Sequence, residues 1–491
     1  MIQRNILVPA RSFGFMAVVA ACAMCSLAAA APAPADASAA HQKPNFVVIL
    51  ADDLGYNDVG CFGSALIKTP NIDKMAKEGV RFTNFYVGAP ICTPSRAALL
   101  TGCIPVRVGF GDQLRQDGPR RSPGKVLHAG SPYGLDPSEV IIPEVLKPAG
   151  YYSGLVGKWH LGDAPEFNPI REGFDYFFGP PYSNDSVPFY FLRGTERLKT
   201  PPVMNELTTT YTQDAQRFIT AHKDQPFFLY LAHNMPHVPL TPGKRFAGHS
   251  PRGLYGDAVE EVDWSVGEII KTLKENHLED HTLVIFASDN GPWMVKGEEG
   301  GSANPLRNGK TSSYEGGFRV PCVMWGPGIV KPGRVSDEII STMDFMPTFA
   351  AMAGIDFHPA KPIDGKNQAD LIEGKEGVHS AWKHFFYYFG NELHAVRENN
   401  YKLRAKNTLE NENVYRKNCP VVSIPAALYD LNQDIGEQKS VMKDHPKIHK
   451  HLNQLLDQER QDLGDSLTSA PAVNERPLGH SDHPMVYGDE K

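Results

Sequence analysis

One segment of the chain places a cysteine, a proline and an arginine at the start of a predicted helix. The sequence from Cys92 to Arg96 reads CTPSR and continues as an apolar stretch that ends at Gly102. Proline is favoured in the first turn, so we predict a helix with Thr93 as the N-cap and Pro94 as its first residue. Cys92 then lies just ahead of a helix N-terminus, where free N–H groups favour an anion. A buried cysteine in a turn is the alternative interpretation.

Two pairs of polar residues each follow an apolar run that is typical of a buried strand. They are Asp52-Asp53 and Asp289-Asn290. Ligands of open α/β sheets gather at the carboxyl ends of strands, so the pairs are predicted to meet. Carboxylate and amide oxygens suit a hard cation such as Ca²⁺ or Mg²⁺. Ordinary turn residues are the alternative, since Asp and Asn are frequent in turns.

Lys158 and His160 form a second candidate pair, between Gly157 and Gly162. If this segment is extended, residues i and i+2 share a face, so both side chains point the same way. A fixed cation beside an imidazole suits an anion that gains charge during a reaction. The alternative is a surface strand whose lysine reaches into solvent.

His237 and Lys310 lie in two further segments with restricted or glycine-rich backbone. Pro236 and Pro239 restrict the backbone around His237, which becomes a candidate general acid for a leaving alcohol. Lys310 belongs to the glycine-rich segment 309–317, which is able to hold an oxyanion but matches no complete phosphate-loop motif. Solvated loop residues are the alternative for both.

The elements that position these residues alternate between apolar strands and amphipathic helices from Lys43 onward, which predicts an α/β sheet covered on both faces. After about Asp370 the pattern changes to short strands and one helix that begins at Pro446. The predicted strands are Asn45–Leu50, Phe227–Leu231, Leu283–Ser288, Phe385–Phe389, Leu393–Arg404 and Leu428–Gln433, and the predicted helices include Val262–Leu273 and Pro446–Leu463.

Composition sets further bounds on a chain of 491 residues with a formal net charge of −7. This charge gives no support to nucleic-acid binding, which needs a basic surface.

Residues 1–41 read as a signal peptide and spacer, which predicts export to the periplasm or outside the cell without a stable membrane span. Lipid attachment at Cys22 is an alternative to ordinary cleavage. We predict a catalytic domain over residues 42–370 and a C-terminal subdomain with a tail over residues 371–491.

The motifs, taken together and in their order, resemble those of the type I, formylglycine-dependent sulfatases, and most closely the arylsulfatase A and N-acetylgalactosamine-6-sulfatase branch. The resemblance covers roughly residues 43–463. It implies an alkaline-phosphatase-like fold: a large mixed sheet flanked by helices, with a smaller C-terminal antiparallel sheet.

The resemblance also implies a role for each site residue. Cys92 would be oxidised to formylglycine (3-oxoalanine) by a formylglycine-generating or anaerobic sulfatase-maturing enzyme. Ca²⁺, in preference to Mg²⁺, would bind the modified Cys92 and the two polar pairs. The residues placed around the sulfate and its leaving group would be Arg96, Lys158, His160, Ser183, His237 and Lys310.

The predicted function is therefore hydrolysis of a sulfate ester, on a sulfated carbohydrate or a small aryl sulfate. Two alternatives stay open from the sequence. One is a phosphate or phosphonate ester hydrolase of the same superfamily. The other is a sulfated-glycan-binding protein whose cysteine is never converted. The basic stretch from Gly111 to Ser138 is a candidate rim for a polyanionic chain, or a solvated loop.

Overall fold

The computed structural model describes residues 43–111, 126–407 and 423–484. The predicted signal segment with Cys22, most of the basic stretch after Gly111, and Cys419 lie outside the described residues. Within them, no helix is both long and apolar enough to cross a bilayer.

The strands, in chain order, are β1 Asn45–Ala51, β2 Val80–Tyr86, β3 Tyr133–Gly134, β4 Tyr152–Gly157, β5 Tyr176–Gly179, β6 Leu192–Arg193, β7 Glu196–Arg197, β8 Phe227–Ala232, β9 Thr282–Ser288, β10 Cys322–Trp325, β11 Arg334–Ser341, β12 His384–Phe389, β13 Glu392–Glu398, β14 Tyr401–Arg404, β15 Ala427–Asp430 and β16 Gly479–His480. The α-helices are α1 Pro70–Glu78, α2 Cys92–Thr101, α3 Ile142–Leu146, α4 Leu207–Ala221, α5 Leu254–Glu275, α6 Glu315–Phe318, α7 Phe345–Met352, α8 Ala369–Glu373 and α9 Pro446–Asp462.

The large sheet is mixed and has the strand order β11-β2-β10-β9-β1-β8-β4-β5-β6-β7. At its centre β1 runs parallel to both β8 and β9, and β4 runs parallel to β8. The register pairs Ala51 with Ser288, and Gly157 with Ala232. Four parallel strands therefore end at one edge of the sheet, where the residues that follow them meet.

Both faces of this sheet are covered, which explains the continuous apolar runs of its central strands. Alternate residues of β1 enter two separate cores: Phe46 and Val48 pack on one face, and Val47 and Ile49 on the other. Helices α1, α4 and α5 bury their apolar stripes against the second face, whereas α2, α3 and α7 cover the first. The predicted α/β class is confirmed.

A smaller antiparallel sheet, β12-β13-β14-β15, follows in the chain, and α9 packs against it. The single strand predicted over Leu393–Arg404 is wrong. It is divided into β13 and β14 by a turn at Asn399, whose φ is +54°. Asparagine tolerates this left-handed conformation better than most residues, so a reversal is favoured there.

The predicted helix after the cysteine is present, but it begins two residues earlier than predicted. Helix α2 begins at Cys92, with Ile91 as the N-cap, and Gly102 (φ +68°) ends it. Thr93 therefore lies inside the first turn and does not cap the helix; its hydroxyl accepts a hydrogen bond from the backbone N–H of Leu127. Pro94 still lies in the first turn, where the missing N–H costs nothing.

Candidate active site

The two polar pairs meet at the carboxyl edge of the large sheet, as predicted. Asp52 and Asp53 follow β1, while Asp289 and Asn290 follow β9, and all four are at most 2% exposed. The backbone N–H of Asp53 donates to Asp289 Oδ1 at 3.1 Å, and Asn290 Nδ2 donates to Asp53 Oδ1 at 2.7 Å. The parallel register of the two strands brings the pairs together.

Cys92 faces these carboxylates from the first turn of α2. Its Sγ lies 3.5 Å from Asp52 Oδ1 and 3.9 Å from Asp53 Oδ1. The side chain is 2% exposed. The helix is fixed against the sheet edge by Ser95, whose hydroxyl donates to the backbone carbonyl of Asp289.

Three cations surround the cluster, each from a different element. Lys158 Nζ donates to Asp52 Oδ2 at 2.6 Å, and Lys310 Nζ lies 2.7 Å from Asp53 Oδ1. Lys310 Nζ also donates to Cys92 Sγ at 3.2 Å. Arg96, on α2, donates to Asp289 Oδ2 from Nε at 3.1 Å and from Nη2 at 2.8 Å.

Burial and the neighbouring charges shift the pKa values of the acidic groups in different directions. Burial alone would raise the pKa of Asp52, but the charges of Lys158, His237 and Arg96 hold it below its ordinary value. Burial and repulsion from Asp52 raise the pKa of Asp289. Burial, with repulsion from the carboxylates, also raises the pKa of Cys92, so the thiol stays protonated. A protonated thiol is a poor nucleophile.

The donor set fits a hard metal ion. One ligand atom from each of Asp52, Asp53, Cys92 and Asp289 lies within 4.8 Å of all the others. Asn290 Oδ1 is buried and has no hydrogen-bond partner among the described residues. Such an oxygen is costly to bury unless it acquires a ligand. Carboxylate and amide oxygens with one further ligand match the preference of Ca²⁺ and Mg²⁺.

His237 lies at the side of the cluster, in the loop after β8. Its Nε2 is 3.7 Å from Asp53 Oδ2, and its Nδ1 is 3.3 Å from the hydroxyl of Ser183. Asn184 Nδ2 donates to the backbone carbonyls of His237 and Pro239, at 3.3 and 3.0 Å, and so fixes the loop. The structure therefore brings the predicted residues Ser183 and His237 together beside the carboxylates.

His160 is buried near the site, but not in the way that the sequence predicted. Strand β4 ends at Gly157, and His160 has a φ of +69°, so it does not share an extended face with Lys158. His160 Nε2 contacts the carbonyl of Leu127 at 3.1 Å, whereas its Nδ1 is buried without a hydrogen-bond partner among the described residues. Burial and the nearby charges of Lys158 and Arg96 hold the pKa of His160 well below 6.5, so the ring is neutral.

Sequence reasoning missed two residues beside the site. Trp293 follows the Asp289-Asn290 pair by three residues, and its ring centroid is 4.6 Å from Lys310 Nζ and 5.5 Å from the His237 ring. Glu315, five residues after Lys310, is fully buried. An aromatic residue next to a predicted metal ligand was a usable signal, whereas the partners of Glu315 are distant in the sequence.

The described cysteines other than Cys92 form no disulfide. Cys61, Cys103 and Cys322 are all free thiols.

Comparison with known proteins agrees with this arrangement. The sulfatase family model matches residues 44–355, and a model of the C-terminal part of N-sulphoglucosamine sulphohydrolase matches residues 308–462. The chain is 40% identical to human N-acetylgalactosamine-6-sulfatase over 381 residues, which covers 73% of this chain and 71% of the relative. It is 38% identical to human arylsulfatase A over 444 residues, covering 82% and 84%.

Solved structures show the same architecture. The sulfatase PsFucS1 from Pseudoalteromonas sp. superposes with a TM-score of 0.76 at 27% identity, covering 89% of this chain and 92% of that one. Ps i-CgsB, solved in complex with k-i-k-neocarrahexaose, gives a TM-score of 0.72 at 29% identity, covering 88% and 95%.

The fold and the site define a hydrolase of the alkaline-phosphatase-like class. Within that class, the chain belongs to the sulfatase family and is a sulfatase.

Proposed function

We propose that this protein hydrolyses sulfate esters of sulfated carbohydrates, using a formylglycine made from Cys92 and a bound Ca²⁺. The observation that carries the proposal is the position of Cys92 Sγ, 3.2 Å from Lys310 Nζ and 3.5 Å from Asp52 Oδ1 at a helix N-terminus. Carbohydrate is favoured over a small aryl sulfate because the similar structure of Ps i-CgsB holds an oligosaccharide.

Asp52, Asp53, Asp289 and Asn290 would hold the ion together with the modified residue 92. When bound, Ca²⁺ supplies positive charge that makes a nearby hydroxyl more acidic and offsets negative charge on sulfate. The three carboxylates at this sheet edge form ion pairs with Arg96, Lys158 and Lys310.

The chain's own residues account for the reaction. One hydroxyl of the hydrated residue 92 attacks sulfur, displacing the alcohol oxygen. Lys158, Lys310 and Arg96 stabilise charge on the other sulfate oxygens. His237 protonates the leaving oxygen, and Ser183 orients the His237 ring through Nδ1.

Release of sulfate requires the second hydroxyl of residue 92. His160 accepts the proton of that hydroxyl, the C–O bond to sulfate breaks, and the aldehyde forms again. The lowered pKa of His160 keeps the ring neutral, so Nδ1, which has no hydrogen-bond partner among the described residues, is able to accept this proton. A serine at position 92, with one hydroxyl, offers no such release.

The test is to measure conversion and turnover together. Protein from a host with a sulfatase-maturing enzyme is digested, and the peptide that contains residue 92 is analysed by mass spectrometry. We expect the aldehyde form in the wild type, and loss of turnover in Cys92→Ser with unchanged circular dichroism and metal content. Only unmodified thiol in fully active protein, or substantial turnover by Cys92→Ser, would contradict the nucleophile.

The reaction class is checked with matched sulfate and phosphate esters of the same alcohol. We expect faster cleavage of the sulfate ester. The three fixed cations suit an oxyanion, but a phosphate monoester carries more negative charge than the sulfate ester and is repelled more strongly by the three carboxylates beside them. Faster phosphate cleavage would instead support the phosphatase alternative.

The predicted location and domain division remain proposals. We propose that the protein is exported, to the periplasm or outside the cell, with residues 1–41 removed or lipid-anchored at Cys22. We also propose that residues 42–370 form the catalytic domain and residues 371–491 the C-terminal subdomain. Mass spectrometry of the mature N-terminus from the native host tests the first proposal.

A further inference from the structure

The segment that carries Lys310 contacts the cluster of carboxylates on one side and the small C-terminal sheet on the other. On the side of the carboxylates, Lys310 Nζ contacts Asp53 and Cys92, and the backbone N–H of Thr311 donates to the carbonyl of Pro90 at 2.7 Å. The three residues that follow Ser312 all face the small sheet instead. We call residues 309–317 the Lys310 loop.

Ser313 makes two contacts with the small sheet. Its carbonyl accepts a hydrogen bond from Lys402 Nζ, on β14, at 2.8 Å. Its hydroxyl lies 2.7 Å from Nδ1 of His394, on β13. All three residues are fully buried. Tyr314 adds a third contact, because the Arg404 guanidinium lies 3.8 Å from its ring centroid.

Glu315 is the strongest anchor of the loop. Its Oε1 accepts hydrogen bonds from Lys402 Nζ at 3.0 Å and from the hydroxyl of Tyr387, on β12, at 2.8 Å. Its Oε2 accepts from Tyr86 at 2.6 Å, and Arg397 Nη1 lies 3.8 Å away. This carboxylate is buried and satisfied mainly by side chains of the small sheet.

A buried ion pair contributes little net stability compared with apolar packing, because desolvation offsets the attraction. It does impose one geometry, since each charge must meet its partner. Here the fixed geometry lies five residues from Lys310, in a loop that contains three glycines and whose large buried side chain, Tyr314, packs against Arg404 of the small sheet. Glycine-rich backbone is otherwise conformationally permissive.

We propose that the small C-terminal sheet positions Lys310 in the sulfate site, through Lys402 and Tyr387 acting on Glu315. Lys402 and Tyr387 are positioning residues and do not contact Cys92. This inference rests on the proposed role of Lys310 as a sulfate-binding cation. The small sheet is then part of the active enzyme and not only a structural addition to the large sheet.

Adjacent tyrosines of β12 provide a matched test. The hydroxyl of Tyr387 donates to Glu315, whereas the hydroxyl of Tyr388 donates to the carbonyl of Gly464 at 3.0 Å, away from the loop. Both are buried, and phenylalanine keeps the ring packing. Tyr387→Phe and Tyr388→Phe therefore remove one buried hydroxyl each, with a different partner.

We measure three quantities on matured full-length protein: kcat and KM for 4-nitrophenyl sulfate, the Kd of inorganic sulfate, and the melting temperature. We expect Tyr387→Phe to lower kcat/KM and sulfate affinity about threefold, and Tyr388→Phe to leave both unchanged, even where the two lower the melting temperature equally. Equal effects of the two variants on sulfate affinity would overturn the proposal.

A double-mutant cycle tests whether the effect passes through Lys310. Lys402→Met is expected to weaken sulfate binding about tenfold in the wild-type background and to cause no further loss in Lys310→Ala. Lys361→Met, which removes a lysine–Glu139 pair elsewhere, is the control. An equal loss in both backgrounds would show that the effect of Lys402 does not pass through Lys310 and would overturn the proposal. If Lys402→Met does not fold, the tyrosine pair decides.

The same cycle separates this inference from the proposed function. If Lys310→Ala alone binds sulfate and turns over substrate as the wild type does, the proposed role of Lys310 is wrong. If Lys310→Ala is impaired but Tyr387→Phe is not, only the positioning role is wrong.

Discussion

Asn290 is the residue whose environment most directly indicates a missing ligand. Its Oδ1 is buried without a hydrogen-bond partner among the described residues, while its Nδ2 donates to Asp53. A native protein seldom leaves a buried amide oxygen unsatisfied. The neighbouring carboxylates are acceptors as well, so only a cation or a donor is able to satisfy the group.

We expect Asn290→Leu to weaken Ca²⁺ binding by about tenfold to a hundredfold, because it removes one oxygen ligand and the contact that orients Asp53. Calorimetric titration of Ca²⁺ into the chelator-treated protein measures this. Asn276→Leu, at the end of α5, is the control and should bind Ca²⁺ normally. Unchanged affinity in Asn290→Leu would exclude Asn290 as a ligand.

At the scale of elements, the site depends on where strands end. Strand β4 stops at Gly157, whose φ is +106°, and the next N–H, of Lys158, donates to the carbonyl of Ala232 at 2.8 Å. A Cβ at Gly157 would lie 1.9 Å from that carbonyl oxygen. The close approach of β4 and β8 therefore requires glycine there, and it sets the direction of Lys158.

Gly157→Ala is expected to lower the free energy of unfolding by roughly 3 kcal/mol, because it combines backbone strain with a steric overlap. It should also lower kcat by displacing Lys158. Gly194→Ala is the control: its φ is also positive, at +60°, but no atom lies within 4 Å of the added Cβ. That control should cost only about 1 kcal/mol, with normal kcat. Urea unfolding and steady-state kinetics measure both effects, and equal losses would contradict the steric argument.

At the scale of the whole molecule, the buried charges make stability depend on pH. Glu172 is 3% exposed, and one of its carboxylate oxygens has no hydrogen-bond partner among the described residues. Burial, with repulsion from Glu144 and Asp136, raises the pKa of Glu172 from 4.5 to about 9. The folded protein keeps this proton at neutral pH, whereas the unfolded chain releases it.

Stability associated with Glu172 is therefore present below pH 4.5 and is lost as the pH rises toward 9. Glu172→Gln, which cannot ionise, should raise the free energy of unfolding at pH 7.5 by on the order of 3 kcal/mol and leave it unchanged near pH 4. The exposed Glu196→Gln should have no effect at either pH. Denaturant titrations at both pH values check this, and a pH-independent effect of Glu172→Gln would show that ionisation is not the cause.

Much of the site followed from local sequence because its residues lie directly after buried strands. Asp52 and Asp289 were predicted from an apolar run followed by a polar group, and Cys92 from its place at the start of a predicted helix; the structure brings all three together. Trp293 was missed although it is next to the predicted ligands. Glu315 and Lys402 were missed because their pairing joins residues 87 apart in the sequence.

The sequence by itself determined the kinds of elements, the α/β sheet covered on both faces and the residues at its carboxyl edge, since hydrophobic periodicity and strand-ending polar pairs are local signals. Only the tertiary structure decided that His160 turns away from the face of Lys158, that α2 begins at Cys92, and that the small sheet contacts the Lys310 loop. The first depends on the left-handed backbone conformation of His160, the second on packing of α2 against the sheet edge, and the third on ion pairs between residues that are distant in the sequence. No local pattern contains such long-range contacts.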